Sequence, residues 1–189
     1  MESIFYSASF FTLLHFYTIP LNNNTLRWFF IHSVTNMIIG AMTLPYVSNE
    51  CSMMKPHVPS IVLTVTMHVY HAVAYKLTRD DVIHHGLFIP LLGVPALTSG
   101  FTGCINSILF FGCGVPGAIM YALLFVERIF SVSLHEPLVS MISYTFVRLP
   151  GVLYFSYLMS NNIKTTTFAV ISSFNAVMYG IHFFIRFIK

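Results

Sequence analysis

Hydrophobic residues along this chain come in long runs broken only by short polar punctuation. Charge-free stretches run from Ser3 to Leu26, Trp28 to Asn49, Pro56 to Tyr75, Val82 to Val126 and Thr165 to Ile185, and Pro137 to Ile163 is interrupted only by Arg148. A helix needs about 20 apolar residues to cross the hydrocarbon of a bilayer, because no water is there to satisfy its backbone. The run from Val82 to Val126 is long enough for two crossings, and Thr98, Ser99, Gly100, Thr102 and Gly103 mark the turn between them. The pattern predicts an all-α membrane protein with seven transmembrane helices, near residues 3–20, 26–48, 58–76, 82–98, 104–127, 137–159 and 165–187.

Polar positions inside these spans repeat at helical spacing. Thr64, His68, His71 and Tyr75 fall on one face of the third span, and Asn175, Tyr179, His182 and Arg186 on one face of the seventh. His32 and Asn36 share a face of the second, as do Tyr144, Arg148 and Gly151 of the sixth. Polar faces are costly against lipid, so these stripes are expected to converge on a central cavity. Counting from the charged loops, His32, His71, His84 and His182 reach one level, with His68 and His85 close to it and Arg148 deeper.

Composition agrees with a lipid solvent: 8% of the 189 residues are charged, 56% are hydrophobic and the mean hydropathy is +0.77. Nine Lys and Arg scattered singly form no patch, which excludes nucleic acid as a partner. Alternate loops collect Arg27, Lys76, Arg79, Arg128, Arg186 and Lys189 on one side against Lys55 and Lys164 on the other. Positive residues favour the cytosol, which places the N-terminus outside or in a lumen and the C-terminus in the cytosol. Glu2 and the lack of a small-residue cleavage site mark residues 3–20 as a retained span rather than a signal peptide. On this orientation the Asn23-Asn24-Thr25 sequon is cytosolic and unmodified. Cys51, Cys104 and Cys113 form no CxxC pair and indicate neither a disulfide framework nor a thiolate metal site.

Histidine carries the candidate chemistry. Adjacent residues on a helix point about 100° apart, so His84 and His85 are not both packing filler, and imidazole serves as general base, acid or nucleophile near neutral pH. His84 and His85 are therefore the candidate catalytic residues. His32, Asn36, His68, His71, Tyr75, Arg148, Tyr179 and His182 are candidates to line the cavity. His15, His57 and His135 read as structural. Asp80 and Asp81 read as caps of the fourth helix, with orientation of an imidazole as the alternative, and Arg148 as a partner for an anionic head group, a thioester carbonyl or Glu127. The Gly112-to-Gly117 stretch lacks the Lys-Ser or Lys-Thr of a phosphate loop and reads as a bend, as do Pro90, Pro95 and Pro150-Gly151.

The Trp28, His32, Ser33 spacing, the tyrosines from Tyr70 to Tyr75 and the His84-His85 pair after an acidic turn resemble the TLC domain family, over about residues 26–187. That family includes the ceramide synthases and the translocating-chain-associated proteins. The resemblance implies a six-helix TLC-type barrel over residues 26–189, a leading helix over 1–25, and residence in the endoplasmic reticulum or a similar internal membrane. It also implies acyl transfer from coenzyme A to a lipid amine or hydroxyl by the paired histidines, with acyl-CoA a co-substrate and no resident cofactor or metal. The partner expected is a membrane lipid or acyl chain, and the oligomeric state stays open. The sequence here reads His84-His85-Gly86-Leu87-Phe88, and no carboxylate occurs between Val82 and Val126, unlike in the synthases. Two alternatives stand beside acyl transfer: a non-catalytic barrel that binds, senses or moves lipid, and a histidine-ligated metal enzyme using His68, His71, His84 and His85. A retinal protein is excluded, because the seventh span has no mid-helix lysine.

Overall fold

The computed structural model describes residues 2–98, 103–160 and 163–188, with the side chains of Asp80, Ile163, Lys164 and Arg186 outside that description. Among the described residues there is no strand, and the helices join into seven rods. The first three are α1 (Glu2–Thr18), α2 (Asn24–Thr43) and α3 (Val58–Ala74). The fourth joins α4 (Arg79–Phe88) to α5 (Val94–Thr98), the fifth α6 (Cys104–Leu109) to α7 (Val115–Phe130), and the sixth α8 (Glu136–Ser143) to α9 (Leu149–Met159). The last is α10 (Ile163–Ile188). Five stretches are long and apolar enough to cross a membrane: Glu2–Leu21, Asp81–Thr98, Cys104–Phe130, Glu136–Met159 and Thr165–Ile185. The helix Val58–Ala74 is apolar but shorter. Large apolar side chains such as Phe5, Tyr17, Val73, Phe130, Phe146 and Tyr157 are exposed, as a lipid-facing surface requires.

Each of the three composite rods is joined by a π turn, at Ile89–Gly93, Phe110–Gly114 and Tyr144–Arg148. Every one of these turns ends two residues before a proline, namely Pro95, Pro116 and Pro150. Proline has no N–H to give to the carbonyl four residues back and its ring collides with that carbonyl. A widened turn relieves both conflicts, so the bends expected at these prolines take the form of π turns within continuous rods.

Packing contacts place the rods in a ring. The second rod packs on the third and fifth, the third on the fourth, the fourth on α10, α10 on the sixth, and the sixth on the fifth, while α1 lies outside against α2 and α3. The second and fifth rods approach closely where Gly40 meets Gly114, whose added Cβ would stand 2.8 Å from the Gly40 Cα. Small residues permit that backbone contact.

The two ends of the ring differ. At one end Cys51 and Cys104 form a disulfide, which corrects the expectation that the cysteines are unbridged. The turn of Cys51–Met53 and the bond from Gly103 N–H to the Met54 carbonyl, 2.8 Å, bring together residues 53 apart in sequence. Spacing carries no trace of this, because the pairing joins the turn before α3 to the first residue of α6. The turn expected over residues 98–103 lies mostly outside the described residues. At the other end Thr78 caps α4 and Asp81 returns the bond, its carboxylate accepting from the Thr78 N–H at 2.9 Å and hydroxyl at 2.7 Å. Asn23 caps α2 through bonds from the Thr25 and Leu26 N–H groups.

Candidate functional site

Inside the ring, toward the capped end, a polar chamber of about 60 Å³ is lined by His32, Asn36, His68, His71, His84, His85, Asp81, Arg148 and Tyr179 among others. A second, mostly apolar chamber of about 50 Å³ continues along Ile61, Phe88, Leu92, Ile105, Val152 and Phe168. Both are lined by His84, Gly112, Cys113 and Arg148, so these residues form the junction. Helical spacing had placed Thr64, His68 and His71 on one face, and all of them are buried. The π turns contribute Gly112, Cys113, Tyr144 and Arg148 to the walls.

The histidines contact one another in pairs. His68 Nε2 lies 3.1 Å from His84 Nε2, and His68 Nδ1 lies 2.7 Å from the Thr64 carbonyl oxygen. A carbonyl only accepts, so His68 carries its proton on Nδ1 and accepts at Nε2; His84 therefore donates from Nε2 and keeps a lone pair on Nδ1. That Nδ1 faces the Asn175 Nδ2 at 3.5 Å, while the Asn175 Oδ1 accepts from Arg148 at 2.8 Å. Arg148 fixes which way the amide points. Its guanidinium also stands 4.8 Å from the ring centres of both Tyr144 and Tyr179. Arg148 thus meets Asn175 and the tyrosines rather than Glu127, whose carboxylate accepts from the Leu134 and Glu136 N–H groups.

The second pair is His71 Nδ1 with His85 Nε2, 2.8 Å apart. His71 is clamped by Trp28, the rings stacked 3.6 Å apart at 15°, and His32 stacks on Tyr121 at 3.8 Å. Two groups bring three ligand atoms within 4.8 Å of one another: His68, His84 and His85, and His71, Asp81 and His85. Either could hold a metal ion. Ring nitrogens His32 Nδ1 and His85 Nδ1 and the guanidinium Nε of Arg148 are buried with no hydrogen-bond partner among the described residues.

Two expected lining residues stand elsewhere. His182 is exposed and lines neither chamber, because α10 carries it seven residues, about 10 Å, beyond Asn175 and past the histidine level. Tyr75 ends α3 as its C-cap and packs its ring against His71 and Trp28 instead of entering the cavity. His15 bonds Tyr70 at 2.7 Å and His57 stacks on Tyr46, both structural uses. Sequence reading missed Tyr121 and Cys113 as lining residues, and it preferred a capping role for Asp81 over one of orienting an imidazole. The i, i+4 step from Asp81 to His85 was the available signal for Asp81.

No protein-family model, curated protein or solved structure matches this chain.

Proposed function

We propose that this chain is a seven-span, TLC-like lipid-handling enzyme that transfers an acyl group inside the membrane, with His84 as general base. The observation that carries the reading is the position of His84 at the junction of the polar and apolar chambers, its Nε2 proton held by His68 and its Nδ1 lone pair facing the long 3.5 Å contact from the Asn175 amide, which an acceptor replaces. In the reaction the Nδ1 of His84 takes the proton of an acceptor amine or hydroxyl as the acceptor attacks the thioester carbonyl of acyl-CoA. The C–S bond then breaks and the proton passes to the departing thiolate. Arg148 faces the developing oxyanion. The acyl chain occupies the apolar chamber; at about 50 Å³ it holds water-sized groups, so the chain must displace wall residues such as Phe88 and Leu92.

Orientation belongs to the same proposal. Basic residues gather at the capped end, and disulfides persist in oxidising compartments, so the disulfide end faces a lumen and the histidine chamber lies in the cytosolic half. Cytosolic acyl-CoA then reaches the chamber from its own side.

Incubating the purified chain with labelled acyl-CoA and lipid amines or alcohols tests this reading. Transfer that His84→Ala abolishes supports it; transfer unaffected by His84→Ala overturns it. Lipid that copurifies without any turnover selects the non-catalytic barrel, which the lack of any carboxylate between Val82 and Val126 favours.

A further inference from the structure

The pair His71–His85 has no part in the acyl-transfer step, yet its surroundings are more tightly organised than those of His68–His84. Asp81 and His85 stand four residues apart in α4, on one face of the helix, and His71 reaches them from α3. One ligand atom from each lies within 4.8 Å of the other two. We propose that His71, Asp81 and His85 form a binding site for a divalent transition-metal ion of the Zn²⁺ type, at the capped mouth of the polar chamber.

The chemistry of the donor set fits. Two imidazoles and one carboxylate are ligands that such an ion takes while keeping positions open. Two nitrogens bound at about 2.1 Å with a tetrahedral angle stand about 3.4 Å apart; His71 Nδ1 and His85 Nε2 open from 2.8 Å to accept the ion between them. The supporting contacts are of the kind that orient metal ligands. Thr78 holds one carboxylate oxygen of Asp81 by its N–H and its hydroxyl. Trp28 holds the His71 ring by stacking. His85 is buried, and its Nδ1 lacks a hydrogen-bond partner among the described residues.

The competing trio of His68, His84 and His85 is less suited. His68 spends both ring nitrogens, on Thr64 and His84, and the trio has no carboxylate to offset the charge of a buried cation. Asp81 is only partly buried, which gives an ion a path from the aqueous end. Both trios share His85, so the metal bridges α3 and α4 beside the His68–His84 pair without occupying it.

Trp28 is the single tryptophan of the chain and stacks on His71, so its emission reports on this site. The test uses the full-length chain in detergent micelles, stripped with EDTA and titrated with Zn²⁺ against a chromophoric chelator and with Co²⁺ by absorption and fluorescence. Expected are one Zn²⁺ per chain, Co²⁺ d–d bands, and quenching of Trp28 with the same stoichiometry. His71→Gln, Asp81→Asn and His85→Gln should each weaken Zn²⁺ by more than about 100-fold, the upper end of what loss of an outer-shell partner costs. His68→Gln and His84→Gln should leave it in place. Absence of stoichiometric metal overturns the proposal. So does Co²⁺ binding that leaves Trp28 emission unchanged, a result in the unmutated chain that no folding defect of a variant can mimic. Metal lost with His68→Gln but kept with Asp81→Asn overturns it as well. None of these readouts involves acyl transfer, so either proposal can fail alone.

Discussion

The disulfide end and the histidine end of the ring put their polar side chains to different uses. At the disulfide end, Asn106 accepts from the His57 N–H at 2.8 Å and donates to the Lys55 carbonyl at 3.2 Å, and Cys51 is joined to Cys104. Side chains there mostly hold loop backbone, though the His57 Nδ1 is also buried with no partner among the described residues. At the histidine end, imidazoles bond mainly to other side chains, and His32 Nδ1, His85 Nδ1 and Arg148 Nε are left with no partner among the described residues. Burying donors and acceptors without partners costs free energy, about 1–3 kcal/mol each. What sets the histidine end apart is that these unpartnered groups all line one chamber. The contrast separates a staple from a site.

The sharpest break of this comparison is His84→Ala. Loss of a positioned general base should lower acyl transfer per folded molecule by about 100- to 10,000-fold, with stability reduced only by the about 1–3 kcal/mol of leaving the His68 Nε2 without its partner, as measured by single-turnover assay beside a melting curve. A fall in stability alone would make His84 part of the scaffold. The complementary change, Cys51→Ser with Cys104→Ser, should cost about 2–4 kcal/mol of stability and leave acyl transfer per folded molecule intact, read by thermal unfolding with and without reductant. If activity vanished with the disulfide, the two ends would not be separable.

Gly114→Ala tests the seam between the second and fifth rods midway between the ends. Its Cβ meets the Gly40 backbone rather than a movable side chain, so a loss of about 1–3 kcal/mol is expected. Retained stability would show that the rods separate easily there. Asn23→Ala removes the cap of α2 and should cost about 1 kcal/mol, measurable as a small drop in thermal midpoint. The smallest effect is expected for His182→Ala, within about 0.5 kcal/mol and with no change in transfer or metal binding, because the residue is exposed. A marked loss there would return His182 to the site.

Much of this architecture was already written in the chain as periodicity. Runs of about 20 apolar residues can satisfy their backbone in lipid only as helices, so the rods and their limits could be read to within a few residues. Polar stripes at steps of three and four likewise had to face inward, and His68, His71 and Thr64 do. Of the four histidines that rise per residue placed at one level, His32, His71 and His84 line one chamber and His182 does not. Other features are properties of two segments at once. Cys51 finds Cys104 only because the turn before α3 and the start of α6 meet at the same end, and Asp81 becomes a neighbour of His71 only because α3 and α4 are antiparallel and joined by a tight turn. Which histidine pairs with which was equally invisible. His84 and His85 point to different partners, one to His68 and the other to His71, because adjacent residues diverge by about 100° around a helix. Local chemistry sets the period of a helix and which face is polar, but the distance between faces of different helices is set by how the rods pack.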